Sequence, residues 1–323
     1  MKKKYIFVLL LLISISVVLL GGTFFYVKLN NNQNDESDLL VMTSCNPVYL
    51  ATVNVVGDAD GVIVQNLSQP TTGCLHDYTL TTEDMKNLSK ADVLVVNGGG
   101  MEGYLEDVVE AYPNLPIIDT FEAVEETYPV IIEEEAEEEE EDHDHVTDSE
   151  EHHHDSGVNS HIWMSEEIYA GQVQAIAEGL TAIDSSHAKL YASNADTFID
   201  VMDSQIDTQG VDEALSGTNV AVLHEAFAYT AQSLGANVVA TMDLDEERQV
   251  SAGEVSSFID TIKENDVKIV LAEYDYGHAM GELITEQTEA KVVYLETLVH
   301  GDYSGLDYIT VLNKNYAVIK NSL

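Results

Sequence analysis

Short apolar runs alternate with amphipathic stretches along this chain from residue 39 onward. Apolar runs rich in Val, Ile and Leu predict buried strands, and the stretches between them repeat apolar residues at helical spacing. The first half is predicted to hold strands over residues 39–43, 61–67, 91–97 and 117–119, with helices over 47–57, 82–88 and 104–111 between them. Strands that alternate with helices form a parallel sheet with helices on both faces.

The second half of the chain repeats this order. Its strands are predicted over residues 219–223, 237–241, 269–273 and 292–295, and its helices over 226–234, 252–265, 282–289 and 303–320. Between the halves, a helix over 165–180 begins at a capping Ser165, and an unbroken helical pattern over 185–207 predicts a rigid connector. The predicted fold class is α/β, with two lobes, each a parallel sheet flanked by helices, joined by one long rigid helix.

These elements divide the chain into an N-terminal α/β lobe over residues 39–184, a linking helix over 185–216 and a C-terminal α/β lobe over 217–323. The 323 residues are 45% hydrophobic, which is enough to supply a core to each lobe.

The N-terminus carries the features of a membrane-targeting segment. Three lysines precede an apolar run over residues 5–27, which is long enough to cross the hydrocarbon core of a bilayer. Lysines in front of the run favour a cytoplasmic N-terminus and an exported remainder. Because no cysteine follows the run to take a lipid, residues 1–28 are predicted as an uncleaved anchor, with a cleaved signal peptide as the alternative. Residues 29–38 form a polar tether.

The charge of the chain is extreme and partly local. A formal net charge of -45 excludes nucleic acid as a partner. Residues 133–155 alone hold fourteen acidic side chains and five histidines, and such a segment is predicted to be a disordered, solvated loop. Its histidines form either a weak auxiliary metal-binding loop or part of a solubilising insertion; they are His143, His145, His152, His153 and His154.

Cys45 and Cys74 each follow a predicted strand, and neighbouring strands of a parallel sheet end at the same edge. In an exported protein, this placement favours a Cys45–Cys74 disulfide, which would brace the loop that carries His76. Two separate buried thiols are the alternative.

Four candidate metal ligands lie where strands give way to loops: His76, His161, His224 and Glu296. Ligand-binding groups of α/β sheets lie beyond the carboxyl ends of the strands, so these side chains are expected to converge. Three imidazoles and one carboxylate make a four-coordinate zinc site, whereas Mn²⁺ prefers more oxygen ligands. His300 and His278 are alternatives to Glu296 as the fourth ligand.

A zinc hydrolase is the competing interpretation. His224 and Glu225 begin like an H-E-x-x-H metalloprotease motif, but Ala228 stands where the second histidine is required. Four protein ligands would also leave no open position for an activated water, so the chain is predicted not to be an enzyme. Asp77 and Glu225, each next to a predicted ligand, are candidates for orienting an imidazole.

Together these stretches resemble the solute-binding proteins of bacterial zinc and manganese ABC importers, the ZnuA-like proteins. The resemblance covers about residue 39 to the C-terminus and rests on motifs around the four ligands: Leu-His-Asp-Tyr at 75–78, Asn-Ser-His-Ile-Trp-Met at 159–164, His-Glu-Ala-Phe-Ala-Tyr at 224–229, and the late strand ending in Glu296. The acidic, histidine-rich insertion is also typical of the zinc members.

The resemblance implies that the metal lies in the cleft between the lobes, with His76 and His161 from the first lobe and His224 and Glu296 from the second. Manganese members carry a carboxylate at the place of His224, so zinc is expected. The chain departs from the family at Ser160, where a proline is common, and in lacking the lipid-bearing cysteine.

The expected function follows from the resemblance. A monomer anchored on the extracytoplasmic face of a bacterial membrane would capture Zn²⁺ and pass it to an ABC permease driven by an ATPase. A surface adhesin, a zinc-buffering protein and a manganese-specific binding protein are the alternatives.

Overall fold

The computed structural model describes residues 38–68, 76, 78–132, 157–242, 244, 250–274, 276–301 and 304–323. Within these residues, eight strands form two sheets. The strands of the first sheet are β1 (Leu39–Thr43), β2 (Val62–Asn66), β3 (Val93–Val96) and β4 (Ile117–Asp119). Those of the second are β5 (Asn219–Val222), β6 (Asn237–Thr241), β7 (Ile269–Glu273) and β8 (Lys291–Leu295). All eight strands lie where the sequence predicts them, within one or two residues at each end.

The two sheets have the same strand order. The first runs β2-β1-β3-β4 and the second β6-β5-β7-β8. In each sheet the second strand in the chain lies on one side of the first, and the third and fourth strands lie on the other side. The carboxyl ends of β1 and β3, and of β5 and β7, therefore flank a crevice of the kind in which open α/β sheets bind ligands. The β5–β7 pair is parallel, with Val222 opposite Leu271.

Eleven α-helices cover these sheets in the described part of the chain. The helices of the first half are α1 (Asn46–Val56), α2 (Thr82–Leu88), α3 (Leu105–Ala111), α4 (Thr120–Val124), α5 (Glu166–Ile183) and α6 (Ala188–Gln205). The helices of the second half are α7 (Val211–Leu215), α8 (Ala226–Ser233), α9 (Ala252–Glu264), α10 (His278–Gln287) and α11 (Asp307–Ser322).

Local sequence explains where several helices begin. The predicted cap Ser165 accepts a hydrogen bond from the backbone N–H of Ile168 and starts α5. Ser251 starts α9 through a capping box, in which its hydroxyl and the Glu254 carboxylate each bind the other residue's backbone N–H.

The predicted connecting helix is α6, which ends at Gln205, earlier than the predicted segment over 185–216. Gln209 and Gly210 follow in the left-handed region, with φ of 57° and 78°, and this turn separates α6 from the short α7. Pattern reasoning also missed α4, because a helix of five residues has no complete apolar repeat.

Both lobes belong to one compact unit over Leu40–Leu323. Aromatic side chains from distant parts of the chain meet in it. Tyr169 of α5 stacks on Tyr308 of α11, with ring centroids 3.7 Å apart. The Tyr308 hydroxyl donates to the carbonyl of Trp163, whose side chain is completely buried. The C-terminal helix α11 thus packs on the first lobe as well as on β8.

Two predicted segments lie outside the described residues: the N-terminal anchor over 1–28 and the acidic, histidine-rich loop over 133–155, with its five histidines. No helix in the described part of the chain has the length and hydropathy needed to cross a bilayer.

Candidate metal centre

His161 is the most enclosed of the four predicted ligands, with no exposed surface. It precedes a 3₁₀ turn at Ile162–Met164, and its ring lies 5.1 Å from that of Trp163. Its Nδ1 has two oxygen neighbours, the Asn159 side-chain carbonyl at 3.2 Å and a Glu225 carboxylate oxygen at 3.0 Å. Both neighbours are oxygen acceptors, so they favour the tautomer with the proton on Nδ1, in which Nε2 is the atom with the lone pair that a metal requires.

His224 follows β5, and its ring centroid lies 4.9 Å from that of His161. The neighbouring strand β7 ends in Glu273, and the parallel pairing of β5 with β7 places a Glu273 carboxylate oxygen 3.3 Å from His224 Nδ1. Glu273 also accepts a 2.6 Å hydrogen bond from the Thr297 hydroxyl. The carboxylate lies on the Nδ1 side of the imidazole, which favours Nε2 as the ligand atom, as is usual for metal-binding histidines.

His76 comes from the loop after β2, and its ring lies 5.5 Å from that of His161. A Cβ atom at Gly103 would lie 2.4 Å from the His76 carbonyl oxygen, so a glycine is needed there for the loop to approach. The His76 Nε2 atom is shielded from solvent and makes no hydrogen bond. A buried nitrogen without a hydrogen-bonding partner is costly unless something else, such as a metal ion, takes its lone pair.

Glu225 stands between these imidazoles. One of its carboxylate oxygens is 3.0 Å from His161 Nδ1 and 3.9 Å from His76 Nε2. His76, His161 and Glu225 each offer a ligand atom, and these atoms all lie within 4.8 Å of one another. Glu225 follows His224 directly and so belongs to the start of α8. Apart from the incomplete H-E-x-x-H match, this adjacency was the sequence signal for Glu225, and it suggested an orienting residue.

Glu296 follows β8 as predicted, but its carboxylate forms an ion pair with the Lys314 ammonium group. The hydrogen bond from Lys314 to Glu296 raises the pKa of the lysine. The Glu296 backbone is held on both sides by the Asn315 side chain, which accepts from its N–H at 3.0 Å and donates to its carbonyl at 2.8 Å. The structure thus brings the three histidines together and turns Glu296 toward α11.

Among the described residues, the group of His76, His161 and Glu225 includes neither the predicted ligands His224 and Glu296 nor the two alternatives, His278 and His300. His278 Nε2 lies 2.8 Å from the Tyr274 carbonyl, and its ring packs on Tyr294 at 4.3 Å. His300 lies in the loop after Glu296 and is half-buried.

Of the two cysteines in the predicted disulfide, the structure describes Cys45. Cys45 is a buried, free thiol, and burial raises its pKa to about 12. Cys74 and the predicted orienting residue Asp77 lie outside the described residues. The Cys45–Cys74 disulfide is therefore not confirmed.

Comparison with known proteins identifies the family of this chain. The sequence profile of the ZnuA family, described as the periplasmic component A of a zinc-uptake complex, matches residues 41–322. The chain belongs to the ZnuA family. Its members are solute-binding proteins of metal ABC importers, which confirms both the predicted resemblance and the prediction that the chain is not an enzyme.

Individual ZnuA-like relatives are named for different metals. The iron-binding protein YfeA of Yersinia pestis is 23% identical over 291 residues, which cover 88% of this chain and 86% of YfeA. The zinc-binding lipoprotein AdcA of Streptococcus pneumoniae is 24% identical over 306 residues, which cover 92% of this chain and 58% of AdcA. Sequence identities of 23% and 24% do not establish which metal this chain binds.

A solved structure shows the same fold. The solute-binding protein FpvC of Pseudomonas aeruginosa, in complex with Ni²⁺, superposes with a TM-score of 0.72 at 23% sequence identity. The match covers 88% of this chain and 96% of FpvC. The predicted architecture of two parallel-sheet lobes and a connecting helix is confirmed.

Proposed function

We propose that this protein captures Zn²⁺ outside the cytoplasm and delivers it to the permease of an ABC importer. The observation that carries the proposal is the convergence of His76, His161 and His224 from three distant parts of the chain. Three neutral imidazoles with one carboxylate form a borderline-soft donor set, which suits Zn²⁺ better than Mn²⁺.

The fourth ligand in this proposal is Glu296, as the sequence predicts. To reach the metal, its carboxylate must leave Lys314, and because the backbone is held by Asn315, a rotation of the side chain is the smallest movement available. Glu225 is the competing carboxylate, since it is already 3.9 Å from His76 Nε2. In the favoured arrangement Glu225 instead holds the His161 ring through Nδ1.

The cellular setting follows from the family. ABC importers consist of a binding protein, a permease and an ATPase, and the proposed site of action is the extracytoplasmic face of the membrane. We propose that the protein acts as a monomer, is attached through residues 1–28, and uses its histidine-rich segment only as a weak auxiliary metal-binding loop.

Calorimetry on the full-length protein tests the metal and the ligands together. Zn²⁺ is expected to bind at one tight site and Mn²⁺ more weakly. His76→Ala and His224→Ala are each expected to lower zinc affinity by more than roughly 100-fold, because each removes a ligand. The matched control is His187→Ala, since His187 is bonded to Asp184 at the start of α6 and is not among the proposed ligands.

Two further variants, Glu296→Gln and Glu225→Gln, distinguish which of the two carboxylates is the metal ligand. A direct ligand is expected to cost more affinity than an orienting residue, so Glu296→Gln should show the larger loss. The reverse order would make Glu225 the ligand. Mn²⁺ affinity equal to or above that of Zn²⁺ would overturn the zinc assignment and favour a manganese-binding protein.

A further inference from the structure

Tyr229 of α8 connects the two lobes through its hydroxyl group. The side chain is completely buried. The hydroxyl accepts a 3.0 Å hydrogen bond from the backbone N–H of Ile131 and donates a 2.8 Å hydrogen bond to the carbonyl of Asn159. Ile131 and Asn159 belong to the first lobe, whereas α8 belongs to the second.

The two bonded backbone segments lie side by side. The Asn159 N–H donates to the Ile131 carbonyl at 2.9 Å, and Ile132 and Val158 form an antiparallel bridge. The Tyr229 hydroxyl thus binds both segments of this pairing at once. Asn159 stands two residues before His161, so whatever fixes this pairing also fixes the backbone that leads into the metal centre.

The Asn159 side chain contacts both the backbone and the ring of His161. Its side-chain oxygen accepts from the His161 backbone N–H at 3.1 Å and lies 3.2 Å from the His161 ring nitrogen Nδ1. Its side-chain nitrogen donates to the Glu225 carbonyl at 2.9 Å. Glu225 and Tyr229 are four residues apart, so one face of the first turn of α8 holds both the side chain and the carbonyl of Asn159.

We propose that Tyr229 and Asn159 form an interlobe clamp that positions His161 against His224 and sets the rate at which the bound metal leaves. The inference rests on the proposed metal-binding function. His224 lies two residues before α8, next to its N-cap Glu225, so the start of this helix carries one ligand and holds the residue that orients another. When the lobes part to release the metal, the bonds from Tyr229 and Asn159 across the cleft must break first. Both are positioning residues, because neither is among the proposed ligands.

The test is Tyr229→Phe, with Tyr191→Phe as the matched control. Each change removes a hydroxyl from a buried tyrosine and keeps the ring; the Tyr191 hydroxyl bonds Asp184 and no residue of the metal centre. Zinc dissociation is measured by stopped-flow mixing of the zinc-loaded full-length protein with a chelator. Tyr229→Phe is expected to release zinc about tenfold faster, as the loss of two buried hydrogen bonds implies, whereas Tyr191→Phe should match the wild type.

Amide hydrogen exchange separates positioning from a purely structural role. The Ile131 amide is expected to exchange faster than in the wild type in Tyr229→Phe and at the wild-type rate in Tyr191→Phe. Faster exchange with an unaltered zinc dissociation rate would overturn the proposal, as would equal dissociation rates in the two variants. If Tyr229→Phe does not fold, as judged by circular dichroism, Asn159→Ala removes the side-chain half of the clamp and must give the same acceleration. A wild-type protein that binds no metal would instead refute the proposed function.

Discussion

Glu102 shows how a single buried carboxylate supports the metal centre from a distance. It is 4% exposed, and its two oxygens accept hydrogen bonds from the backbone N–H groups of Asn97 at 2.8 Å and Gly98 at 2.9 Å. Gly98 has a φ of 84°, and a Cβ there would lie 2.0 Å from a carboxylate oxygen of Asp119. Asn97 in turn donates to the Ser160 carbonyl, beside His161. The turn at Asn97 and Gly98 therefore holds the Glu102 carboxylate through two backbone N–H groups.

Burial raises the pKa of Glu102 from 4.5 to about 7. The folded state therefore binds a proton that the unfolded state has lost, and its stability falls as pH rises from about 4.5 to about 7. Urea unfolding of the wild type and Glu102→Gln between pH 5 and 8 measures this contribution. The stability of the wild type relative to the variant is expected to fall over that range, by at most about 3 kcal/mol. A difference that does not change with pH would contradict the assignment.

At the scale of elements, the ends of neighbouring parallel strands decide which residues meet. Because β5 and β7 are adjacent and parallel, His224 after one strand and Glu273 at the end of the other become partners, although 49 positions separate them in the sequence. A small residue lets α5 approach the first sheet closely. Gly179 of α5 faces Ile118 of β4, and a Cβ at Gly179 would lie 2.7 Å from the Ile118 side chain.

Two glycine substitutions in helices are expected to act in opposite directions. Gly179→Ala should lower the free energy of unfolding by about 1–3 kcal/mol, because its methyl group crowds Ile118 against the sheet. Gly253→Ala in α9 should raise it by about 0.5 kcal/mol, because its nearest neighbour would be 3.8 Å away and alanine is the better helix former. Urea unfolding midpoints measure both effects. A stabilising Gly179→Ala would show that α5 can move away from β4.

At the scale of the whole molecule, the loop after β8 is tied to the first lobe by buried donors. The Trp163 indole N–H donates to the Thr297 carbonyl at 2.8 Å, and the Asn46 side chain donates to the Leu298 carbonyl at 2.8 Å. Leu298 has a φ of 69°, which is an unfavourable conformation for a branched side chain and is maintained by these contacts. The loop that presents Glu296 is therefore positioned by both lobes.

Trp163 is the single tryptophan of the chain. Its ring lies beside that of His161, and its indole N–H donates to the carbonyl of Thr297 in the loop after β8. Zinc binding is expected to change its fluorescence emission, because the neighbouring His161 ring becomes a metal ligand and the Thr297 loop tightens. The change should saturate at one zinc per protein and be absent in Trp163→Phe. An unchanged emission at a zinc concentration that calorimetry shows to be saturating would argue that the two lobes are not coupled through Trp163.

The sequence by itself determined the eight strands, most of the helices and the architecture of two parallel sheets. Apolar runs and helical repeats are local properties, and strands that alternate with helices leave few possible topologies. It also predicted that His76, His161 and His224 lie near one another, because the carboxyl ends of parallel strands share one edge of a sheet.

Only the tertiary structure decided the partners of these residues. The placement of Glu225 between two imidazoles, the pairing of Glu296 with Lys314 and the reach of Tyr229 to Ile131 and Asn159 join segments that are far apart in the sequence. Such contacts depend on side-chain rotamers and on how the lobes pack, and neither leaves a periodic signal in the chain.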